Sequence, residues 1–138
     1  MYKVDHFING KSSSESNKTS KIYNPSYGTE IGEVLCATNE LADKAVESAY
    51  EASKAWSKTG LIYRSELILK FRQNVINRSK EIIDLGISEA GKTRPDAEAE
   101  LDRAVQALTH IAGVQHFYPS HYSQNVAGGI DIADLRFP

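Results

Sequence analysis

The segment from Pro95 to Ala112 has the most regular pattern in this sequence, and it restricts the chain to folds that bury one face of a long helix. Proline suits the first turn of a helix, where its missing N–H has no helical partner to lose. The apolar residues of the segment recur every three or four positions, as one helix face requires. They are Ala97, Leu101, Ala104, Val105, Leu108, Ile111 and Ala112. The sequence therefore predicts a helix with a single stripe facing a core.

Three more helices are predicted upstream. Thr38 caps the first, because a threonine hydroxyl can accept a hydrogen bond from a free N–H at a helix start. The second runs from Arg64 to Arg78, and the third begins at a capping Ser79 and ends at Gly91, a residue type favoured at helix C-caps. The first two helices have apolar stripes: Ala42, Ala45, Val46, Ala49, Ala52 and Trp56, then Leu67, Ile68, Phe71 and Val75. The alanines of the first stripe predict close packing against another helix.

Hairpins are predicted on both sides of the helices. Asn9-Gly10 after an apolar pair is a strong signal for a two-residue hairpin turn. Asn24-Pro25 followed by Gly28 predicts a second turn, because proline presets φ and glycine admits a positive φ. The predicted hairpins cover 7–11, 21–23 with 31–35, and 122–126 with 130–137. The last strand is an apolar edge without a partner, and we expect it to promote self-association.

Charge and composition exclude several classes of function. The net charge is −2 with both signs interleaved, so we expect neither a nucleic-acid partner nor a basic membrane-binding face. No apolar run is long enough to span a bilayer, and the first residues lack the apolar segment of a secretory signal. Cys36 is the only cysteine, which excludes an internal disulfide and fits a reducing compartment. These features predict a cytoplasmic globular protein.

The segment Gly86–Thr93 matches the phosphate-loop pattern G-x-x-x-x-G-K-[ST] in full. A working phosphate loop follows a buried strand and opens a helix, with backbone amides around the phosphates. Here the preceding residues carry charges unsuited to a central strand, and Pro95 falls where the phosphate-binding helix should be forming. We interpret the segment as a helix C-cap at Gly91 followed by a turn. Nucleotide binding is the less favoured alternative.

No catalytic or metal-binding set is expected from the cysteine and the histidines. Neither a histidine nor a basic cluster lies near Cys36 to activate its thiol, so we interpret it as a small buried hydrophobe. The histidines do not follow the spacing of metal ligands. They are His6, His110, His116 and His121.

Arg103 is the candidate binding residue. At 100° per residue it lies about 160° from Leu101, opposite the apolar stripe of its helix. Ala99 and Ala107 stand one turn before and after it, and Gln106 shares its side. A solvated face more often carries several lysines and glutamates. The small neighbours suggest that a ligand or another element packs against the guanidinium; an exposed or surface-paired arginine is the alternative.

Eight short segments occur in a recognisable order along the chain. They are Phe7–Lys11, Tyr23-Asn24-Pro25 with Gly28, Glu33-Val34, Ala37-Thr38, Ala55-Trp56-Ser57, Leu69-Lys70-Phe71, Glu89 with Gly91-Lys92-Thr93, and Asp96-Ala97-Glu98. In this order they resemble the N-terminal third or less of the aldehyde dehydrogenase family. The later residues look most like the methylmalonate-semialdehyde dehydrogenase subgroup, through Glu100 with Arg103, Ala112-Gly113 and the stretch 125–138. The resemblance covers residues 7–138.

The resemblance implies an α/β fold in which residues 1–119 flank an NAD-binding domain and residues 120–138 form a hairpin of an oligomerisation sheet. It implies a complete enzyme that oxidises methylmalonate or malonate semialdehyde through a thiohemiacetal on a cysteine, passes hydride to NAD and releases an acyl group to coenzyme A. The catalytic cysteine, the general base and the NAD loop would lie beyond Pro138. We therefore expect no catalytic or cofactor-binding residues in this chain, and no activity from the chain alone.

In that subgroup an arginine on the fourth helix reads the substrate carboxylate, and this position falls on Arg103. The sequence departs from the usual pattern just after it, at Ala104-Val105-Gln106, where glycine and an acidic residue are common. The expected partners are a small aldehyde and further copies of the chain, which would form a homo-oligomer through residues 120–138. The alternative is a stand-alone module that pairs with full-length subunits through the same hairpin.

Overall fold

The computed structural model describes residues 1–117 and 120–134. Its strands are β1 (Tyr2–Val4), β2 (His6–Ile8), β3 (Lys11–Ser13), β4 (Thr19–Asn24), β5 (Thr29–Leu35), β6 (His121–Ala127) and β7 (Ile130–Asp134). Its helices are α1 (Asn39–Trp56), α2 (Leu61–Asn77), α3 (Ser79–Ala90), α4 (Arg94–Ala112) and α5 (Val114–Phe117). The α/β class and the four long helices confirm the predicted fold. None of the helices in the described ranges is long and apolar enough to cross a membrane.

All three predicted hairpins are present. β2 and β3 pair across Asn9 and Gly10, whose φ angles of 52° and 72° are those of the mirror-image turn that two-residue hairpins prefer. Gly28 has a φ of 66° in the turn between β4 and β5. β6 and β7 pair antiparallel with a shift of register in the middle. The predicted strand 130–137 is seen as far as Asp134, and its remainder lies outside the described residues.

The strand β1 is absent from the sequence-based prediction. It pairs in parallel with β5, with Tyr2 opposite Gly32, and completes a three-stranded sheet of order β1-β5-β4. A Cβ on Gly32 would lie 2.6 Å from the carbonyl oxygen of Tyr2, so glycine permits the close approach of the two strands. Three residues are too few to show an alternating pattern, and a parallel partner far along the chain leaves no turn signal between them.

The helix α4 packs against both α2 and α3, and α3 also contacts β4. The predicted stripe of α4 is buried at Ala97, Leu101 and Ala112, whereas Ala104 and Ile111 are exposed. Further buried positions lie outside α4; among the described residues they are Gly32, Leu35, Leu41 and Ser65. The core is therefore small and centred on the packing of α4.

Two helix starts differ from the prediction. α2 begins at Leu61 rather than near Arg64, after a capping Gly60 with extended backbone. The side chain of Arg64 turns back and donates to the carbonyl oxygens of Trp56 at 2.7 Å and Thr59 at 2.9 Å. This arginine ties the first turn of α2 to the end of α1. Ser79 is the first residue of α3 and not its cap, because the capping position is Arg78, which has φ −105° and ψ 16° rather than an extended backbone.

The prediction that the alanine stripe of α1 packs closely on another helix is wrong for the described chain. Thr38 caps α1 as predicted, accepting from the N–H of Leu41, and Leu41 is buried. Beyond that first turn the stripe is mostly exposed, with Val46 at 69%. Phe71, on the predicted face of α2, is likewise 55% exposed. Periodicity identifies an apolar face correctly, but it does not say whether its cover lies in the same chain.

Candidate functional site

The candidate site is the outer face of α4, and the start of that helix is tightly defined. Gly91 ends α3 with a φ of 64°, which glycine adopts without strain. Thr93 then caps α4: its hydroxyl accepts from the backbone N–H of Asp96 and donates to the Asp96 carboxylate at 2.6 Å. Pro95 stands in the first turn as predicted. The Gly-Lys-Thr sequence therefore links the end of one helix to the beginning of the next.

Polar side chains fix α4 to both of its helical neighbours. Arg94 donates to Asp84 on α3 at 2.8 Å, and Arg72 on α2 donates to Thr109 at 2.7 Å. The hydrogen bonds from Arg94 and then Lys80 hold the pKa of Asp84 below its usual range. Solvent screens these exposed contacts, so each adds little stability, but together they limit rotation of the helix. A residue on the outer face of α4 is consequently presented from a fixed support.

Arg103 lies on that outer face, exposed and on the side of α4 opposite the buried Leu101, as predicted. Ala99, Gln106 and Ala107 around it are also exposed. Within the part of the chain that the structure describes, Arg103 takes part in no ion pair or side-chain hydrogen bond. The guanidinium therefore keeps its full set of donors for an anion, and a planar carboxylate can accept from two of them at once.

The phosphate-loop pattern does not form a phosphate loop. Its first residues, from Gly86, belong to α3 rather than to a turn after a strand. Lys92 makes an ion pair with Glu100 of α4, and Glu89 accepts a hydrogen bond from the hydroxyl of Tyr2, which raises the pKa of Tyr2 to about 12. The C-cap interpretation of Gly91 is confirmed. With the amides of residues 86–90 inside α3 and with Lys92 paired to Glu100, this segment does not fit the phosphates of NAD or coenzyme A.

The other candidate groups are not brought together. Cys36 lies just after β5 and is half-buried rather than fully buried as predicted. Its N–H donates to the carbonyl oxygen of Lys18 at 2.8 Å. Among the described residues no group of histidine, cysteine and carboxylate side chains could hold a metal ion. Two open grooves, beside Ser12–Glu15 and beside Asn77–Asp84, do not include Arg103.

A sequence profile of the aldehyde dehydrogenase family matches residues 12–131. The chain belongs to the aldehyde dehydrogenase family. It is 32% identical over 136 residues to the mitochondrial acylating methylmalonate-semialdehyde/malonate-semialdehyde dehydrogenase of Mus musculus. The aligned region covers 98% of this chain and 25% of the mouse protein. The chain thus spans about a quarter of the length of this relative.

The fold of this chain also matches part of the solved structures of aldehyde dehydrogenases. The methylmalonate-semialdehyde dehydrogenase of Oceanimonas doudoroffii superposes with a TM-score of 0.87 at 27% identity, over 95% of this chain and 27% of the other. A protein of Sinorhizobium meliloti 1021 named for the same activity, and solved with NAD, also reaches 0.87, at 32% identity and the same coverage. The described fold corresponds to the N-terminal part of the aldehyde dehydrogenase fold.

Sequence reasoning placed Arg103 correctly on the outer face of α4 but missed the ion pair between Lys92 and Glu100. The two residues stand on different sides of a helix boundary, so the rule that pairs positions three or four apart within one helix does not detect them. The lysine of the phosphate-loop pattern was the available signal, since the positive end of a helix dipole disfavours a nearby cation and a neighbouring carboxylate offsets this. Arg94 and Asp84 were missed for the same reason.

Proposed function

We propose that this chain is the N-terminal region of an NAD-dependent, coenzyme A-acylating dehydrogenase of malonate or methylmalonate semialdehyde, and that Arg103 binds the carboxylate of the substrate. The likeness to relatives named for this activity supports the substrate class. The observation that carries the residue assignment is the unpaired, exposed guanidinium on the fixed outer face of α4.

Arg103 suits this role because its surroundings leave room for a ligand. The alanines one turn before and after it, Ala99 and Ala107, present no bulk and no charge. A substrate carboxylate can accept two parallel hydrogen bonds from the guanidinium, which fixes the orientation of the aldehyde at the far end of a three-carbon acid. The proposed role is therefore to bind and orient the substrate, not to carry out the chemical step.

The remaining assignments concern the complete enzyme. Residues 1–119 would flank the NAD-binding domain, and residues 120–138 would join an oligomerisation sheet with further copies of the chain. NAD and coenzyme A would be held elsewhere in the enzyme, where they supply the hydride acceptor and the acyl acceptor. Because Cys36 is the only cysteine here and the described residues bring no base to it, we expect the chain alone to leave NAD unreduced with any aldehyde. A cytoplasmic location stays a prediction.

The test compares a substrate that has a carboxylate with one that lacks it. In the full-length protein that carries this region, kcat/KM is measured for methylmalonate semialdehyde and for propanal with wild type, Arg103→Ala and Arg103→Lys. Loss of a charged hydrogen bond is worth about 1.5–3 kcal/mol, so we expect roughly a ten- to hundredfold fall for the semialdehyde with Arg103→Ala. Lysine should rescue poorly because it cannot form the planar fork.

Propanal is the control, since it has no carboxylate to bind. Its kcat/KM should change little in both variants. Equal losses on the two aldehydes would mean that Arg103 supports the fold of α4 rather than the substrate, and the residue assignment would then be wrong.

A further inference from the structure

The unpaired state of Arg103 needs an explanation, because a glutamate, Glu100, stands three positions before it on the same helix. On a helix the residue three positions earlier lies on the same face, and a helical side chain leans toward the N-terminal turn. For Arg103 the neighbours in that direction are Ala99 and Glu100. Glu100 is therefore the acidic side chain of α4 best placed to occupy the guanidinium. An arginine already paired in this way would bind an external carboxylate less well.

Glu100 is instead paired with Lys92. The Lys92 ammonium donates to the Glu100 carboxylate from the turn that precedes α4. Lys92 is held there by two well-defined neighbours, the left-handed Gly91 before it and the capping Thr93 after it. Because Lys92 precedes α4, this contact engages the Glu100 carboxylate from the N-terminal side of the helix, and among the described residues Glu100 makes no ion pair with Arg103. The next residue that could compete on the C-terminal side is the neutral Gln106.

We propose that Lys92 is a positioning residue for substrate specificity: by binding Glu100 it keeps Arg103 free for the carboxylate of the substrate. The inference rests on the proposed function of Arg103. It also gives a role to the lysine of the phosphate-loop pattern, whose preceding residues form the end of α3 rather than a phosphate loop. Lys92 does not touch the substrate and acts only through Glu100.

Two substitutions break this ion pair with opposite consequences. Lys92→Met leaves the Glu100 carboxylate able to swing to Arg103, so KM for malonate semialdehyde should rise about two- to fivefold with kcat unchanged, the range expected for a neighbouring charge on one helix. Glu100→Gln removes the competing carboxylate, so KM should stay the same or fall. The double variant Lys92→Met/Glu100→Gln should return KM to the wild-type value, and Lys92→Arg should behave as wild type.

All variants are measured in the full-length protein with malonate semialdehyde and with propanal, together with their thermal unfolding. Propanal should show no change. A purely structural role of the ion pair predicts equal losses for Lys92→Met and Glu100→Gln on both aldehydes, and that result overturns the inference. An unchanged KM in Lys92→Met also overturns the inference, as does a double variant whose KM does not return to the wild-type value.

Failure of the underlying function is seen separately in Arg103→Ala. If that variant loses activity on both aldehydes alike, Arg103 does not read the carboxylate and the inference falls with it. If Arg103→Ala is selective for the semialdehyde while Lys92→Met leaves KM unchanged, the function of Arg103 stands and only the role of Lys92 is wrong.

Discussion

The helices α2 to α4 and the hairpin β6–β7 differ in the interactions that stabilise each of them. α4 buries Leu101 and Ala97 against its neighbours and is tied to them by side-chain hydrogen bonds. Every residue of β6 and β7 is exposed, and within the described ranges the two strands make their extensive contacts only with each other. The hairpin relies on internal hydrogen bonds, in which Asp131 accepts from the hydroxyl of Tyr122 and from the N–H of Asn125 at 2.8 Å. The bond from Tyr122 lowers the pKa of Asp131.

The contrast between the buried face of α4 and the exposed hairpin indicates which apolar surfaces are available to contact other chains or further parts of the protein. An isolated two-stranded hairpin is marginally stable in water, so an exposed hairpin with isoleucines at Ile130 and Ile132 is expected to add to another sheet. The chain exposes 10424 Å², whereas a folded monomer of this size exposes about 7,000 Å². Many of the exposed large apolar side chains lie on α1, α2 and the hairpin. These are the surfaces that the remaining three quarters of a full-length aldehyde dehydrogenase would cover under the proposed function.

The largest expected effect is that of Leu101→Ala, which opens a cavity in the packed region. Leu101 is 9% exposed, and truncation of a buried leucine costs about 2–5 kcal/mol. We expect the low end of this range, because the core is small and can collapse around the gap. The measurement is urea unfolding followed by circular dichroism at low protein concentration. The matched hairpin variant, Ile130→Ala, should shift the midpoint far less; equal shifts would show that the hairpin belongs to the same cooperative unit.

In both regions, the features set by a few neighbouring residues were the more predictable ones. Thr38, Gly91 and Pro95 act within a few residues of themselves, so their capping roles can be predicted from sequence and were confirmed. The parallel pairing of β1 and the ion pair of Lys92 with Glu100 depend on residues that are brought together only by the fold. Periodicity predicts that Arg103 lies on the outer face of its helix. That it has no partner among the described residues is seen only in the three-dimensional structure.

A smaller effect is expected from adding one methyl group in each region. In Gly32→Ala the new Cβ would meet the carbonyl oxygen of Tyr2 at 2.6 Å, so β1 must move from β5 at a cost of about 1–3 kcal/mol. Gly128→Ala, in the turn of the hairpin, places its Cβ where no atom lies within 4 Å. The urea midpoint should fall for Gly32→Ala and stay unchanged for Gly128→Ala. A similar fall in both would contradict the independence of the hairpin from the core.

The smallest effect on stability, and the sharpest test of the comparison, is expected from Ile132→Lys. Ile132 is 56% exposed, so lysine there should alter the free energy of unfolding by no more than about 0.5 kcal/mol. A charge on the strand opposes edge-to-edge pairing, however, because its ammonium would have to be desolvated in the added sheet. The purified chain should therefore self-associate in light scattering, and Ile132→Lys should shift it toward monomer. Val46→Lys, at an exposed apolar position of α1, is the control and should leave association intact. If Val46→Lys dissociates the oligomer instead, the chains associate through the apolar face of α1. A wild-type chain that stays monomeric at high concentration would mean that neither surface needs a partner.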